Sequence, residues 1–379
     1  MANNEKNSSC PFSDRLGKVG GQAVLEGVMM KAGDRMVTTC RKDDGTLVVN
    51  DDKYISARQK HKVLDLPLVR GVVSFVESMI MSFRTLGASA DALGIEEESE
   101  PSKFEKWISE KLHLNLTDVV MVISLILGLG LSVFLFMFLP IAITSGIDFV
   151  LYHLILTYSR MSPVVSAIIE GLVKVGIFVG YLAGVSLMPD IKRTFMYHGA
   201  EHKSIACFEA GEELTPENAK KHTRFHPRCG TSFMFFMILL GIFASFLLKT
   251  VFPALTERTL LYTLAKLLIL PLIMGIGYEF IRFAGKHPNP VTNALSLPGI
   301  WMQKITTKEP DEGMLEVAIT SLKCALRDDY PEFKEFFDAK PWEPKVEETE
   351  ESAEESTEVA ETLEENTTEE VTVTEENDA

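Results

Sequence analysis

Long apolar stretches alternate with charged ones along this chain. Four of them, at 119–143, 164–188, 232–251 and 260–280, carry few or no charged residues. Each is close to or above the roughly 20 residues that a helix needs to cross the hydrocarbon core of a bilayer. The first has no charge at all, so it lacks the polar stripe of a helix buried in a soluble protein. The pattern predicts a mainly α-helical, polytopic membrane bundle with about four transmembrane helices.

Composition supports this interpretation. Hydrophobic residues make up 46% of the chain, charged residues 24%, and the mean hydropathy is +0.12. Soluble enzymes rarely combine a positive mean hydropathy with so much charge, so the polar and apolar residues must be segregated into separate blocks. We therefore expect the lipid bilayer as a partner and expect no nucleic-acid partner.

The polar segment before the first span predicts two elements. Residues 1–65 form an N-terminal cytoplasmic element with a β-hairpin, because an Asp-Gly turn separates β-prone runs at 35–40 and 46–50. Residues 66–90 place most apolar side chains on one face of a helix. This amphipathic helix is expected on the inner membrane surface or against the bundle.

The segments after the last span differ in composition. Residues 286–340 contain apolar positions at helical spacing after Pro310 and predict a cytoplasmic helical segment. Residues 346–379 carry fifteen acidic residues and no basic one, which accounts for most of the net charge of −16. A segment with so few bulky apolar residues cannot bury enough surface to fold, so we expect a disordered acidic tail.

Lysine and arginine are concentrated before the first span, in the loop 189–231 and after the fourth span. In the loop 144–163, Arg160 is the only basic residue. The positive-inside rule then places both termini and the loop 189–231 in the cytoplasm, which requires an even number of spans. All five cysteines fall on these cytoplasmic segments, where thiols stay reduced, and their spacing does not suggest a disulfide framework.

The loop 189–231 contains the pattern His-x-x-Glu-His at residues 198–202. On a helix, His198 and His202 lie one turn apart on the same face, so both imidazoles can reach one ion. Glu201 stands beside them, where it can take a proton from water activated by the metal. Zinc enzymes use this inverted form of the zinc-peptidase motif. We therefore predict a divalent metal site, with zinc as the expected ion.

Further zinc-type donors follow in the same loop. His226 and Cys229 lie in a turn directly before the third span, and imidazole and thiolate are preferred zinc ligands. We expect His198, His202 and one or both of His226 and Cys229 to bind the ion. His222 is a weaker candidate, and Cys207 is left out because no turn brings it back to the histidines. Histidines near a membrane surface are also commonly just polar interface residues.

Ionisable residues occur inside the spans as well. Glu279 ends the fourth span at the distance at which soluble inverted-motif peptidases supply a third ligand, a match that we interpret as accidental. Glu170 and Lys174 are spaced as an i, i+4 pair in the second span, and Lys266 has a similar depth in the fourth. Such charges are costly and suggest either function or, as we slightly prefer, a pair that holds helices together.

Four motifs of the chain resemble those of the bacterial YqhQ-like membrane proteins. They are GGQAVLEGVMM from Gly20, YHGAEHK from Tyr197, HPRCGTS from His226, and the run from Pro298-Gly299 to Thr307-Lys308-Glu309-Pro310. The resemblance covers residues from about 18 to 330 and implies a bacterial plasma-membrane protein of a family described as predicted metal-dependent enzymes.

The resemblance also implies which residues belong to the shared core. These are His198, Glu201, His202, His226 and Cys229, whereas His222 is not part of a shared motif. It further implies that the run from Gly21 to Gly27 matters by packing Glu26 near the site. The acidic tail lies outside the resemblance.

Two functions follow. The first is a metal-dependent hydrolase with a cytoplasm-facing zinc site and Glu201 as general base. The alternative is a non-catalytic membrane scaffold or ion-handling protein whose His/Cys cluster is structural. An open coordination position would favour the enzyme, and four protein ligands, with both His226 and Cys229 bound, would favour the alternative.

Overall fold

A computed structural model of the chain describes residues 15–94, 116–155, 161–226, 229–256, 258–286 and 290–339. The described residues all belong to one unit, Met1–Lys340. The predicted acidic tail at 346–379 lies outside the described residues, as does Cys10. Within the described ranges the chain is mainly helical, with a small N-terminal antiparallel sheet and four helices suited to cross a membrane, which confirms the predicted fold class.

The N-terminal element is a four-stranded antiparallel meander in chain order. Its strands are β1 Val19–Val24, β2 Gly27–Ala32, β3 Arg35–Arg41 and β4 Leu47–Lys53. The predicted hairpin corresponds to β3 and β4, and two further strands precede it. The first two strands are joined by a tight turn in which Glu26 has a positive φ of 45°.

A short helix and an amphipathic helix follow the sheet. They are α1 Ala57–Lys60 and α2 Val69–Ala92, with a 3₁₀ turn at Lys62–Asp65 between them. The glycine pair Gly71 and Gly275 lets α2 lie directly against the last span: a Cβ on Gly71 would stand 2.9 Å from the Cα of Gly275. The other side of α2 leaves apolar side chains such as Ile80 and Phe83 about half exposed. Thus α2 packs on the bundle and presents an apolar face outward.

Four helices are long and apolar enough to cross a membrane. Their apolar windows are Ile126–His153, Pro163–Val185, Met234–Val251 and Thr259–Phe280. The helices that contain them are α3 Leu116–Val133 with α4 Leu139–Val150, α5 Pro163–Val185, α8 Gly230–Val251 and α10 Thr259–Lys286. Outward-facing leucines such as Leu172 and Leu268 are 68% and 83% exposed, as expected for side chains that face lipid.

The first apolar helix extends further than the stretch 119–143. A π-helical turn, Phe134–Phe138, joins α3 to α4, and a second one, Leu151–Ile155, extends the same helical run to Ile155. Pro140 does not end this run, because it follows directly after the π-helical turn Phe134–Phe138, where the regular α-helical hydrogen bonding is already interrupted. The segment after 143, which the sequence analysis treated as a loop, is therefore helical as far as Ile155.

Five of the remaining helices form a cap at one end of the bundle. They are α6 Pro189–Glu209, α7 Pro216–Lys221, α11 Pro290–Thr306, α12 Glu312–Ala325 and α13 Pro331–Asp338, whereas the short helix α9 Pro253–Thr256 lies between α8 and α10 at the other end. The antiparallel order of the spans follows from side-chain contacts: Phe236 near the start of α8 stacks on Phe280 near the end of α10, with ring centroids 4.1 Å apart. The end of α5, the start of α8 and the end of α10 therefore lie at the same end of the bundle, and α6 and α11 begin there.

Helix α12 lies at the centre of the cap. It packs against α6 on one side and against β2 and β3 on the other. Its predicted apolar positions are buried, and so are polar ones such as Ser321, whose hydroxyl donates to the carbonyl of Val37 at 2.8 Å. The predicted amphipathic cytoplasmic helix is thus enclosed on most of its surface, and it fixes the sheet against α6.

Candidate metal centre

Helix α6 carries the two histidines of the His-x-x-Glu-His motif. A proline in its first turn and Asp190 beside it favour the helical start. His198 and His202 lie one turn apart, and the centroids of their rings are 4.4 Å apart. His202 is buried, with 2% of its surface exposed. The spacing therefore brings both imidazoles to one face, as the sequence predicted.

Backbone carbonyls fix the orientation of both rings. The Nδ1 of His198 donates to the carbonyl of Thr306 at 2.8 Å, and the Nδ1 of His202 donates to the carbonyl of Arg224 at 2.5 Å. Because a carbonyl oxygen only accepts, the hydrogen of each neutral ring must be on Nδ1. Each Nε2 then keeps its lone pair. Metal-binding histidines are commonly oriented by this kind of hydrogen bond.

Cys229 completes a group of three donor atoms. It is the residue that precedes the first turn of α8, and its Sγ lies 3.3 Å from the Nε2 of His198. The candidate ligand atoms of His198, His202 and Cys229 all lie within 4.8 Å of one another. Two imidazole nitrogens and one thiol form a donor set that suits zinc.

His226 lies beside this group and is not part of it. The centroid of its ring is 5.6 Å from that of His202, and its Nε2 is 3.6 Å from a carboxylate oxygen of Glu209. The side chain of Gln303, fully buried in α11, accepts from the N–H and donates to the carbonyl of His226, both at 2.8 Å. Of the four predicted ligands, the structure thus groups three and holds the fourth nearby.

Glu201, between the two histidines in the sequence, is buried. Only 5% of its surface is exposed, and its carboxylate lies against Gly21 of β1, where an added Cβ would stand 2.9 Å from Oε1. Burial raises the pKa of Glu201 above its ordinary value, while His198 and His226 act in the opposite direction. The carboxylate therefore lies close to the donors without belonging to their group.

Glu26 connects the N-terminal sheet to the same helix. Its carboxylate pairs with Arg193 and accepts from the hydroxyl of Tyr197 at 3.1 Å. Tyr197 is buried and directly precedes His198. The run from Gly21 to Gly27 thus includes a turn that places the carboxylate of Glu26 against Tyr197, the residue next to His198.

Residues 306–309 hold α6 from the other side. The N–H of Lys308 donates to the carbonyl of Phe195 at 2.8 Å, and a Cβ on Gly199 would overlap the carbonyl oxygen of Lys308. Glu309 pairs with Lys203 at 3.0 Å and with Arg224 at 2.8 Å. The motif therefore needs glycine at 199, because the backbone that orients His198 lies directly on that position.

A sequence profile of the family described as "Protein of unknown function (DUF1385)" matches residues 66–328. The chain belongs to this family. It is also 32% identical over 322 residues to the "Uncharacterized protein YqhQ" of Bacillus subtilis, an alignment that covers 81% of this chain and 92% of the relative. The resemblance to YqhQ-like proteins is thereby confirmed. No solved structure matches the chain.

A second group of donor atoms lies further along α6. Candidate ligand atoms of Cys207, Glu212 and His222 also lie within 4.8 Å of one another. The Nε2 of His222 is 3.2 Å from Glu212, and the thiol of Cys207 donates to the carbonyl of Glu213 at 3.5 Å. From the sequence, no turn was predicted that would bring Cys207 to a histidine. The turn that does so follows Glu209 and returns the chain through α7.

The described contacts of Glu279 do not include any of these histidines. Its carboxylate forms a bidentate pair with Arg70 of α2. It therefore ties the amphipathic helix to the last span. This agrees with the interpretation that its spacing from the motif is accidental.

Proposed function

We propose that the chain is a membrane-bound, metal-dependent hydrolase whose zinc ion is held by His198, His202 and Cys229. The observation that carries the proposal is the orientation of the two histidines. Both Nδ1 atoms are bound to backbone carbonyls, so each Nε2 keeps its lone pair, and the Nε2 of His198 lies 3.3 Å from the thiol of Cys229. A histidine that is only a polar interface residue has no need of this arrangement.

Three ligands of this kind suit a catalytic zinc ion. Catalytic zinc sites commonly have three protein ligands and an open fourth position, whereas structural sites have four. Zinc in such a site supplies Lewis acidity, which makes water a competent nucleophile near neutral pH. The two imidazoles and the thiolate of this chain would bind the ion at one end of the bundle, beside the entrance of α8.

Glu201 would move the proton. Its carboxylate is buried against Gly21 of β1 and interacts electrostatically with His198 and His226, and burial raises its pKa. A carboxylate with a raised pKa can accept the proton of the attacking water and later donate it to the leaving group. Gly21 leaves the space in which this side chain lies.

The site would face the cytoplasm of a bacterial cell. Lysine and arginine are concentrated on the segments that form the cap, which by the positive-inside rule places the cap and both termini inside. The bilayer around the four spans is then the plasma membrane. The apolar face of α2 would rest on its inner surface.

One observation favours a second function. His226 lies next to His202, and a modest movement of its ring would supply a fourth ligand. A closed site of this kind would be structural, and the protein would then be a non-catalytic membrane scaffold or an ion-handling protein.

Metal analysis of the purified full-length protein tests the proposal. Zinc in a one-to-one ratio is expected for the wild type, with loss in His198→Ala, His202→Ala and Cys229→Ser. His61→Ala is the matched control, because it removes an exposed histidine that belongs to neither group of candidate ligands and should retain zinc. Absence of stoichiometric metal from a folded wild type would refute the metal site.

Glu201→Gln separates the two functions. It should keep its zinc and lose cellular function, measured by complementation of a deletion strain. Full complementation by Glu201→Gln would argue for the structural alternative. His226→Ala provides the second criterion, since zinc retention there supports an open site and zinc loss supports a closed one.

A further inference from the structure

The charged side chains inside the bundle pair with one another. The carboxylate of Glu170 on α5 lies 2.8 Å from the ammonium of Lys249 on α8 and also pairs with Lys266 of α10. The sequence spacing suggested a pair with Lys174 on the same helix, but the described ion pairs of Glu170 join three spans. Contacts of this kind hold helices together, as expected for charges buried in a membrane bundle.

The donor group of Cys207, Glu212 and His222 lies in the cap and is separate from the candidate metal centre. Cys207 lies in the last turn of α6 and is fully buried, and His222 directly follows α7. One candidate ligand atom of each residue lies within 4.8 Å of the other two. Cys207 is five residues beyond His202, roughly 7.5 Å along the helix axis at 1.5 Å per residue. A second ion here would therefore have its own ligands.

The end of α6 is a Schellman motif that places Glu212 beside Cys207. Gly211 has a positive φ of 75° and donates its N–H to the carbonyl of Phe208 at 3.0 Å, and the N–H of Glu212 donates to the carbonyl of Cys207 at 3.3 Å. The two residues joined by this longer-range hydrogen bond usually form an apolar contact. Here they carry a thiol and a carboxylate. Helix termination thus accounts for the backbone of this turn and not for its side chains.

Helix α7 returns His222 to the same place. The ammonium of Lys203 on α6 donates to the carbonyl of Lys220 near the end of α7 at 3.0 Å, which fixes this end against α6. The Nε2 of His222 then lies 3.2 Å from a carboxylate oxygen of Glu212. The thiol, the carboxylate and the imidazole therefore converge from the ends of two helices that are fixed to each other.

The charge and the exposure of the group suit a divalent cation. An ionised thiol and the carboxylate contribute one negative charge each, so the group with a neutral imidazole carries −2. The side chains of Glu212 and His222 are 44% and 20% exposed, so an ion can reach the buried thiol from solvent. The nearby Lys221 favours the thiolate of Cys207, and its ammonium donates to the side chain of Asn218 at 2.9 Å.

We propose that Cys207, Glu212 and His222 bind a second zinc ion, independently of the candidate metal centre. Thiolate, imidazole and carboxylate are the three side-chain ligand types of zinc, and the exposed edge of the group leaves a position for water. Burial, with a smaller contribution from Glu212, raises the pKa of Cys207 to about 11. An entering ion must therefore displace a proton, which weakens binding at neutral pH. This second site is filled from added zinc, whereas the first retains its ion through purification.

The second ion would also act on the first site. His222 lies two residues before Arg224, whose carbonyl orients the ring of His202. An ion that ties His222 to α6 restricts the segment that carries this carbonyl. The second site would thus stabilise the orientation of a ligand of the first.

The test counts zinc in the full-length protein in detergent after equilibrium dialysis against buffered micromolar free zinc. Glu212→Gln and His222→Ala should each hold one ion fewer than the wild type, because loss of a ligand lowers the affinity by at least about tenfold. Glu217→Gln, at an exposed carboxylate of α7, and His61→Ala are the matched controls and should bind as many ions as the wild type. Equal zinc content in wild type, Glu212→Gln and His222→Ala overturns the proposal.

His202→Ala separates this site from the candidate metal centre. It should lose the resident ion and still take up zinc on dialysis, and that uptake should disappear in the double variant His202→Ala/His222→Ala. Failure of the first site would leave this difference in place, so the two proposals fail independently. No difference between the single and the double variant overturns the second site.

Hydrogen exchange provides a second measurement that does not count ions. Added zinc should slow amide exchange across 210–226 at least severalfold in the wild type, because the ion links the ends of α6 and α7. The effect should be absent in His222→Ala and present in His61→Ala. Exchange across 210–226 that zinc leaves unchanged in the wild type, or slows equally in His222→Ala, contradicts the proposal.

Discussion

Gly21 of the N-terminal sheet lies directly against the side chain of Glu201: a Cβ at position 21 would stand 2.8 Å from Cγ and 2.9 Å from Oε1. The neighbouring Gly20 has nothing within 4 Å of the same position. Two adjacent glycines thus differ in what they face, and only one of them shapes the candidate site.

Gly21→Ala should displace Glu201 while leaving the zinc ligands in place. We expect a loss of about 1–3 kcal/mol in the free energy of unfolding, the usual cost of overpacking a close contact. Zinc content should persist and complementation should fail. Gly20→Ala is the control and should be close to neutral in both measurements. Equal behaviour of the two variants would contradict the placement of Glu201.

Gly199→Ala should loosen the segment that orients His198. The new Cβ meets the backbone carbonyl of Lys308, which cannot move without moving the neighbouring carbonyl of Thr306. We expect a destabilisation of about 1–3 kcal/mol or more together with weaker zinc binding. Gly87→Ala in α2 faces open space and should be neutral or stabilising by up to about 1 kcal/mol, measured by the same chemical denaturation. A stabilising Gly199→Ala would refute the close approach.

Gln303→Leu should release the backbone of His226. Two partly buried backbone groups would lose their partners, at up to about 1–3 kcal/mol for each group left unsatisfied. Gln59→Leu, at an exposed glutamine, should change stability by a few tenths of a kcal/mol. If both variants unfold at the same denaturant concentration as the wild type, the two hydrogen bonds between Gln303 and the backbone of His226 do not contribute to stability.

Cysteine reactivity should distinguish the candidate ligand from the buried thiols. Burial raises the pKa of Cys40 to about 12 and that of Cys207 to about 11, so few of these thiols are ionised near pH 7.5. Cys229 is partly exposed. Maleimide labelling followed by peptide mapping should modify Cys229 at least about tenfold faster than the other two, and added zinc should protect it. Labelling of Cys229 that zinc does not slow would speak against its role as a ligand.

The contribution of Glu309 should depend on pH. Burial works against its ionisation, but hydrogen bonds from Lys203 and Arg224 lower the pKa of this carboxyl below its ordinary value. A lowered pKa means that the ionised form stabilises the fold above the unfolded-state pKa of about 4.3, and that this contribution is lost as the pH falls through the lower folded-state pKa. The difference in unfolding midpoint between wild type and Glu309→Gln should therefore be largest near neutral pH and vanish in acid. A difference that persists unchanged at pH 3 would exclude this cause.

The sequence predicted those features that leave a local pattern. Uncharged apolar stretches reveal the spans, and the spacing of His198 and His202 reveals a shared helix face. Cys229 could be predicted as a ligand because it directly precedes the third span, and this places it at the end of the bundle near the helix that carries the histidines.

Other parts of the site depend on contacts that have no local pattern. The acceptors of the histidine hydrogens are backbone carbonyls of Arg224 and Thr306, which any residue type could supply. Gln303 lies in a helix that follows the fourth span, and nothing in its neighbourhood indicates that it faces His226. The pairing of Glu279 with Arg70 could not be read from either residue, because it depends on the close approach of α2 to α10.

The hydrogen bond between Ser321 and Val37 joins residues that are 284 positions apart. During synthesis the sheet leaves the ribosome first, while α12, which covers it, emerges only after all four spans. The face of the sheet that α12 covers therefore stays exposed until all four spans have been synthesised. Because α11 brings the groups that orient His198 and His226, a chain that stops before α11 would contain the four spans without an ordered candidate metal centre. The order of synthesis thus prevents an incomplete chain from assembling this site.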